Sequence, residues 1–103
     1  MFSKGMNMMK QAQQMQKKMA QVQEELEGMR VEGVSGGGMV KSTVNGKKDL
    51  IALDIHESIL NEEKDMVEDL ILASVNQALK NADDAAQKKM SNITGGMKIP
   101  GLF

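Results

Sequence analysis

Residues 8–29 read MMKQAQQMQKKMAQVQEELEGM, and this stretch decides the fold. Its apolar residues recur at spacings of 4, 3, 4, 3, 4 and 3, at Met8, Ala12, Met15, Met19, Val22, Leu26 and Met29. We call this row the apolar seam. The pattern predicts a long helix that buries one stripe against another helix. A chain of 103 residues has little other mass to cover such a helix, so the seam predicts contact with a second copy.

The composition also favours an oligomer. The chain contains two aromatic residues, Phe2 and Phe103, and eleven methionines. Methionine packs adaptably but specifies a rigid core poorly. Small domains with such cores often gain stability by association. The length fits a single domain over residues 1–103.

The sequence predicts a cytoplasmic protein. Because it has no cysteine, disulfides and thiolate metal sites are excluded, which suits a reducing compartment. It has no run of 18 apolar residues and no continuous apolar core of a signal peptide near its start. We therefore expect no membrane association.

The charge is unevenly distributed, although the net charge is only −1. Residues 1–23 contain four lysines and no acid, whereas residues 54–69 contain seven acids and one lysine. The C-terminal stretch is basic again, with Lys88, Lys89 and Lys98. A polyanion could bind the basic ends. Ordinary solvated helix faces would give the same pattern, and both interpretations remain open.

Periodicity divides the chain into a helix over residues 6–30, a three-stranded sheet over 31–56, a helix over 61–92 and a flexible tail over 95–103. Gly36-Gly37-Gly38 predicts the turn between the first two strands. Asn45-Gly46 predicts a hairpin, because both residues tolerate positive φ. We prefer a connection longer than two residues there, because it places Ser42 and Leu53 on one face. The order predicts an α+β fold with an antiparallel sheet.

The second helix is expected to start near Asn61, followed by acids that favour a helix N-terminus. Its apolar residues cover more than half of the circumference, which is wider than one sheet face requires. The extra width predicts that this helix meets both the sheet and a partner chain.

The sequence offers little chemistry, which predicts that the protein is not an enzyme. His56 is the only histidine, and no nucleophile or metal-ligand spacing accompanies it. The glycine cluster lacks the Gly-Lys-Ser/Thr sequence that opens a helix in a phosphate loop. We expect no cofactor, no metal and no small-molecule substrate. Lys47 and Lys48 at the hairpin tip could touch phosphates or keep the sheet edge soluble.

Several motifs together resemble the YbaB/EbfC family of bacterial nucleoid-associated proteins. They are the run from Met9 to Met19, Gly36-Gly37-Gly38-Met39-Val40-Lys41, Val44-Asn45-Gly46, Asp54-Ile55, Glu68-Asp69-Leu70, Gly96-Met97 and Pro100-Gly101. The resemblance covers nearly the whole chain. It implies a cytoplasmic homodimer with projecting helices that binds duplex DNA and organises the nucleoid.

Two sets of residues carry the functional hypothesis. The predicted DNA-binding residues are Lys10, Lys17, Lys18, Lys88, Lys89 and Lys98. The predicted dimer-interface residues are Met15, Met19, Leu26, Leu70, Ile71 and Val75. Without stacking aromatics or an arginine-rich recognition helix, binding should use lysine–phosphate contacts with low sequence specificity. The alternative is a protein-interaction or holdase-like module that grips clients with Met-rich helices.

Overall fold

The computed structural model describes residues 2–94, with side chains described from residue 7 to residue 93. The elements are α1 (Phe2–Gly28), β1 (Val31–Ser35), β2 (Val40–Val44), β3 (Leu50–Ile55) and α2 (Lys64–Thr94). This order confirms the predicted architecture of helix, three antiparallel strands and helix. The predicted tail over residues 95–103 lies outside the described residues.

The three strands form one antiparallel sheet in the order β1-β2-β3. A 3₁₀ turn over Gly36–Gly38 joins β1 to β2, as the glycine run predicts. All three glycines have positive φ, between 59° and 98°. Side chains are strained in that region of backbone conformation, which explains why three consecutive glycines occupy the turn.

The connection between β2 and β3 is the longer one, with Val44 opposite Leu50 and Ser42 opposite Leu53. A hairpin forms at Asn45-Gly46 as predicted, but the residue with positive φ in this loop is Lys48, at 69°. The Asn45 side chain holds the loop instead. Its Oδ1 accepts hydrogen bonds from the backbone N–H groups of Lys47 at 2.9 Å and Asp49 at 3.0 Å.

The sheet has one polar and one largely apolar face. The polar face carries Glu32, Val34, Lys41, Thr43, Ala52 and Asp54. The other, which we call the inner face, includes Val40 and Ser42 on β2 and their partners Ile55 and Leu53 on β3. The helix α2 packs across β1 and β2 on this inner face. Val40 and Ser42 are therefore fully buried, whereas Leu53 remains 41% exposed.

A row of buried residues on α2 contacts the sheet with its first part and the end of α1 with its last part. Ser74, Ala78, Ala82, Ala86 and Met90 recur at intervals of four residues, and all are buried. The small side chains let the helix approach β1 closely. A Cβ atom on Gly33 would lie 2.2 Å from the backbone nitrogen of Ala78 and 2.4 Å from the carbonyl oxygen of Ser74. Gly33 is therefore required by the approach of the two backbones.

Helix α2 begins at Lys64, three residues after the predicted start at Asn61. A 3₁₀ turn over Glu57–Ile59 precedes it, and the Ile59 side chain is buried. The chain continues through a turn in which Glu62 N–H donates to the carbonyl oxygen of Ile59 at 3.1 Å. This turn includes Asn61 and Glu62, which the N-cap signal assigns to the helix.

Candidate nucleic-acid interface

The first helix projects from the body of the protein. Every residue from 7 to 20 is exposed, and we call this segment the arm. The anchored part begins at Val22, where Val22 and Leu26 pack against Ala86 and Met90 of α2. The principal extents of the protein are 73 × 18 × 17 Å. A helix of 31 residues spans about 46 Å, so α2 alone does not account for the long dimension.

Polar contacts at the base of the arm fix its direction. The Gly46 N–H group donates to the carbonyl oxygen of Leu26 at 2.8 Å. Lys47 pairs with Glu27 at 2.7 Å, and Lys89 pairs with Glu25 at 3.0 Å. These contacts join the end of α1 to the hairpin and to α2.

The order of the ion pairs shows where the arm points. The hairpin tip reaches Asp83 of α2 through Lys48, at 2.8 Å, and reaches Glu27 through Lys47. Two residues earlier on α1, Glu25 pairs with Lys89, which is farther along α2. The two helices are therefore antiparallel where they pack, and earlier residues of α1 lie beside later residues of α2. The arm extends past the C-terminal part of α2, away from the acidic residues 54–69.

Three lysines on the arm match the predicted DNA-binding set. Lys10, Lys17 and Lys18 are exposed, and none of them forms an ion pair within the described part of the chain. Residues 7–23 contain no acid. Lys10 and Lys17 lie two helical turns apart, opposite the apolar seam, and Lys18 lies beside that face. Their charges are thus available to an anion in solvent.

The other predicted lysines differ in their surroundings. Lys88 is exposed and has no ion pair with another described residue. Lys89 is half-buried and engaged with Glu25. Lys98 lies outside the described residues. The hairpin-tip lysines, Lys47 and Lys48, are both engaged in ion pairs, which makes them poorer phosphate ligands than the arm lysines.

The predicted dimer-interface residues fall in three places. Met15 and Met19 lie on the arm, 36% and 38% exposed. Leu26 is buried against α2 of its own chain, so its contact with a partner stays a prediction. Leu70, Ile71 and Val75 are half-buried on α2.

One flank of α2 lies beside the uncovered strand β3. Asn81 marks the opposite flank, because its amide donates to the carbonyl oxygen of Glu32 on β1 at 3.0 Å. Asp83 marks the β3 flank through its ion pair with Lys48 of the β2–β3 hairpin. Leu72, Val75 and Leu79 lie on the same stripe as Asp83, at helical spacing. Leu72 is 60% exposed and Ile51 of β3 is 45% exposed. We call the three exposed residues Ile51, Leu53 and Leu72 the β3 patch.

The single histidine has a local structural role. His56 Nδ1 accepts a hydrogen bond from the Ser58 backbone N–H at 3.1 Å and lies 2.8 Å from the Ser58 hydroxyl. The residue is exposed and caps the 3₁₀ turn that leads towards α2. No group of three or more His, Cys, Asp or Glu residues that could hold a metal ion occurs in the described part of the chain.

Sequence reasoning missed a buried polar cluster beneath α2. The Ser42 and Ser74 hydroxyls are hydrogen-bonded to each other, and the Ser74 hydroxyl also donates to the Gly33 carbonyl oxygen at 3.3 Å. Both serines are fully buried. Their positions in otherwise apolar rows could have indicated this cluster. Ser42 lies between Val40 and Val44 on one strand face, and Ser74 precedes three alanines at intervals of four residues on α2. No pattern in the sequence indicates the ion pairs of the hairpin tip.

The chain belongs to the YbaB/EbfC DNA-binding family, which its sequence matches over residues 1–97. This is a DNA-binding family and not a family of enzymes. Within residues 2–94, no helix is long and apolar enough to cross a membrane.

Relatives and a solved structure agree with this assignment. The nucleoid-associated protein TTE0040 of Caldanaerobacter subterraneus subsp. tengcongensis is 51% identical over 98 residues, which cover 94% of this chain and 88% of that protein. The nucleoid-associated protein Teth39_2199 of Thermoanaerobacter pseudethanolicus is 49% identical with the same coverage. The crystal structure of the uncharacterized protein HP0035 of Helicobacter pylori is similar with a TM-score of 0.72 at 26% identity, covering 85% of this chain and 94% of that chain.

Proposed function

We propose that this protein is a dimeric, nucleoid-associated protein that binds duplex DNA through lysine–phosphate contacts, with low sequence specificity. The observation that carries the proposal is the arm, which is exposed on all sides, free of acids and supplied with unpaired Lys10, Lys17 and Lys18. Family membership and the names of the relatives support DNA as the ligand and the nucleoid as the location.

The charge distribution favours DNA bound at the arm end of the molecule. The acidic residues 54–69 lie around the end of β3 and the beginning of α2, and the arm projects past the other end of α2. Phosphates would be repelled at the acidic end and attracted at the arm. A net charge of −1 therefore does not prevent binding, because the arm contains no acid and lies away from the acidic residues 54–69.

The proposal of a dimer rests on the part of the inner sheet face that α2 leaves uncovered. The helix α2 covers β1 and β2 but leaves Leu53, Ile51 and Leu50 of β3 exposed by 41%, 45% and 51%. Leu72 extends this apolar area onto α2. An apolar patch at the edge of an otherwise buried core is typical of a protein–protein interface. A second copy would also bring two arms, and with them twice the number of lysines, to one DNA molecule.

A charge in the β3 patch should break this dimer. We expect Leu72→Glu to raise the dimer dissociation constant at least about hundredfold, because association would bury an unpaired carboxylate. The substituted side chain is 60% exposed in the protomer, so the protomer itself should keep its helix content. Light scattering and sedimentation measure the mass, and circular dichroism measures the helix content.

The matched control is Val34→Glu, which places the same charge at a residue that is 51% exposed on the polar sheet face. This variant should remain a dimer. A parent protein of monomer mass at micromolar concentration would contradict the proposed dimer. An unchanged dimer in Leu72→Glu would show that the interface lies elsewhere.

A further inference from the structure

One face of the arm has a composition that lysine–phosphate binding does not require. Opposite the apolar seam, this face carries Lys10, Gln13, Gln14 and Lys17, and Gln21 continues it just beyond the arm. All five are exposed, and none of their side chains hydrogen-bonds to another described residue. Two glutamines thus lie between two lysines, with all four side chains free to meet a ligand.

The spacing of the side chains on this face suits a helix that lies along the major groove of duplex DNA. Lys10 and Lys17 are seven residues apart, which corresponds to about 10.5 Å along the helix axis. The major groove is about 12 Å wide and admits one α-helix. Lys10 and Lys17 point in nearly the same direction, and Gln13 and Gln14 lie between them along the axis, about 50° to either side of that direction. In a helix that lies along the groove with this face inwards, both amides can reach base edges, and the long lysine side chains can extend to the phosphates. No acid lies on the arm to oppose this approach.

The chemistry of the glutamine side chain selects the base. An amide offers one acceptor and two donors, and in the major groove it pairs with the N7 acceptor and the N6 amino group of adenine. We infer that Gln13 and Gln14 read adenine in the major groove, and that Lys10 and Lys17 position the arm for this contact. The inference rests on the proposed DNA-binding function and adds specificity-determining residues to it.

The expected preference is small. One glutamine–adenine contact at the lower end of the usual range changes affinity about fivefold. Such a preference would modulate binding along a chromosome without defining a unique site, which agrees with low overall sequence specificity.

The test compares a short mixed-sequence duplex with the same duplex in which 7-deazaadenine replaces every adenine. This replacement substitutes C–H for N7 and leaves the phosphates unchanged. The parent protein should bind the substituted duplex about fivefold more weakly. The Gln13→Ala/Gln14→Ala variant should bind both duplexes equally, because alanine has no amide group to contact N7 of adenine. Alanine favours helix, so the arm should stay folded.

The matched control is Gln11→Ala/Gln16→Ala, which removes two glutamines that flank the seam. This control should keep the parent's preference between the two duplexes. Equal binding of both duplexes by the parent would overturn the inference and leave the proposed function intact. A preference that persists in Gln13→Ala/Gln14→Ala would also overturn it. Failure of the parent to bind either duplex would refute the proposed function itself.

Discussion

Replacing Gly33 with alanine should destabilise the protein by about 3 kcal/mol, the upper end of the usual cost of overpacking a core. The added methyl group would lie 2.2–2.7 Å from backbone atoms of Ser74 and Ala78. Backbone atoms of a helix cannot rotate away as a flexible side chain can. The helix α2 and strand β1 would therefore have to separate, which also stretches the hydrogen bond between Ser74 and the Gly33 carbonyl oxygen. Urea unfolding followed by circular dichroism measures the loss.

Gly28→Ala is the control for the same chemical change. No atom lies within 4 Å of a Cβ placed on Gly28, and its φ is not in the left-handed region. Its free energy of unfolding should be unchanged or slightly raised, because alanine reduces the entropy of the unfolded chain. Equal stability of Gly33→Ala and Gly28→Ala would contradict the close packing of α2 on β1.

Neutralising the arm lysines should have the largest effect on DNA binding. We expect the Lys10→Gln/Lys17→Gln/Lys18→Gln variant to lose at least about a hundredfold in affinity near 0.1 M salt. The slope of log K against log salt, about −4 to −5 for the parent dimer, should also fall towards zero, because the variant lacks every arm lysine on both chains and each lost phosphate contact removes about one unit. Binding isotherms at several salt concentrations measure both quantities.

The control removes the same charge from lysines that are already paired. In Lys47→Gln/Lys48→Gln/Lys64→Gln, each replaced lysine pairs with a carboxylate in the folded chain. Such exposed pairs contribute about 0.2–1 kcal/mol each, so the fold should persist. We expect less loss of affinity than in the arm variant. Equal losses in the two variants would show that total charge, and not the arm, determines binding.

The elements of this fold follow from local patterns, which explains why the sequence alone predicts them. The seam of α1 depends on residues three and four apart, and the glycine turn depends on three consecutive residues that tolerate positive φ. The register of β2 against β3 follows from matching the face that carries Ser42 with the face that carries Leu53. Each of these features is determined by residues within one helix, one turn or one pair of adjacent strands.

The features that the sequence did not predict depend on contacts between distant elements. The start of α2 lies at Lys64, after a turn from Ile59 to Glu62 in which the Ile59 side chain is buried. Lys89 looked as available as Lys88, but Glu25 on the other helix pairs with it. The uncovered part of the inner sheet face depends on where α2 lies across the strands. No periodicity within α2 specifies that placement.

The most direct test of the central hypothesis is titration of the parent protein with a duplex DNA at two salt concentrations. Two chains that each use two or three lysines predict a slope of about −4 to −5 in log K against log salt. Raising the salt from about 50 mM to about 200 mM should then weaken binding roughly 250- to 1,000-fold. A loss of less than about fourfold, which corresponds to a slope shallower than −1, would contradict binding through arm lysines and phosphates.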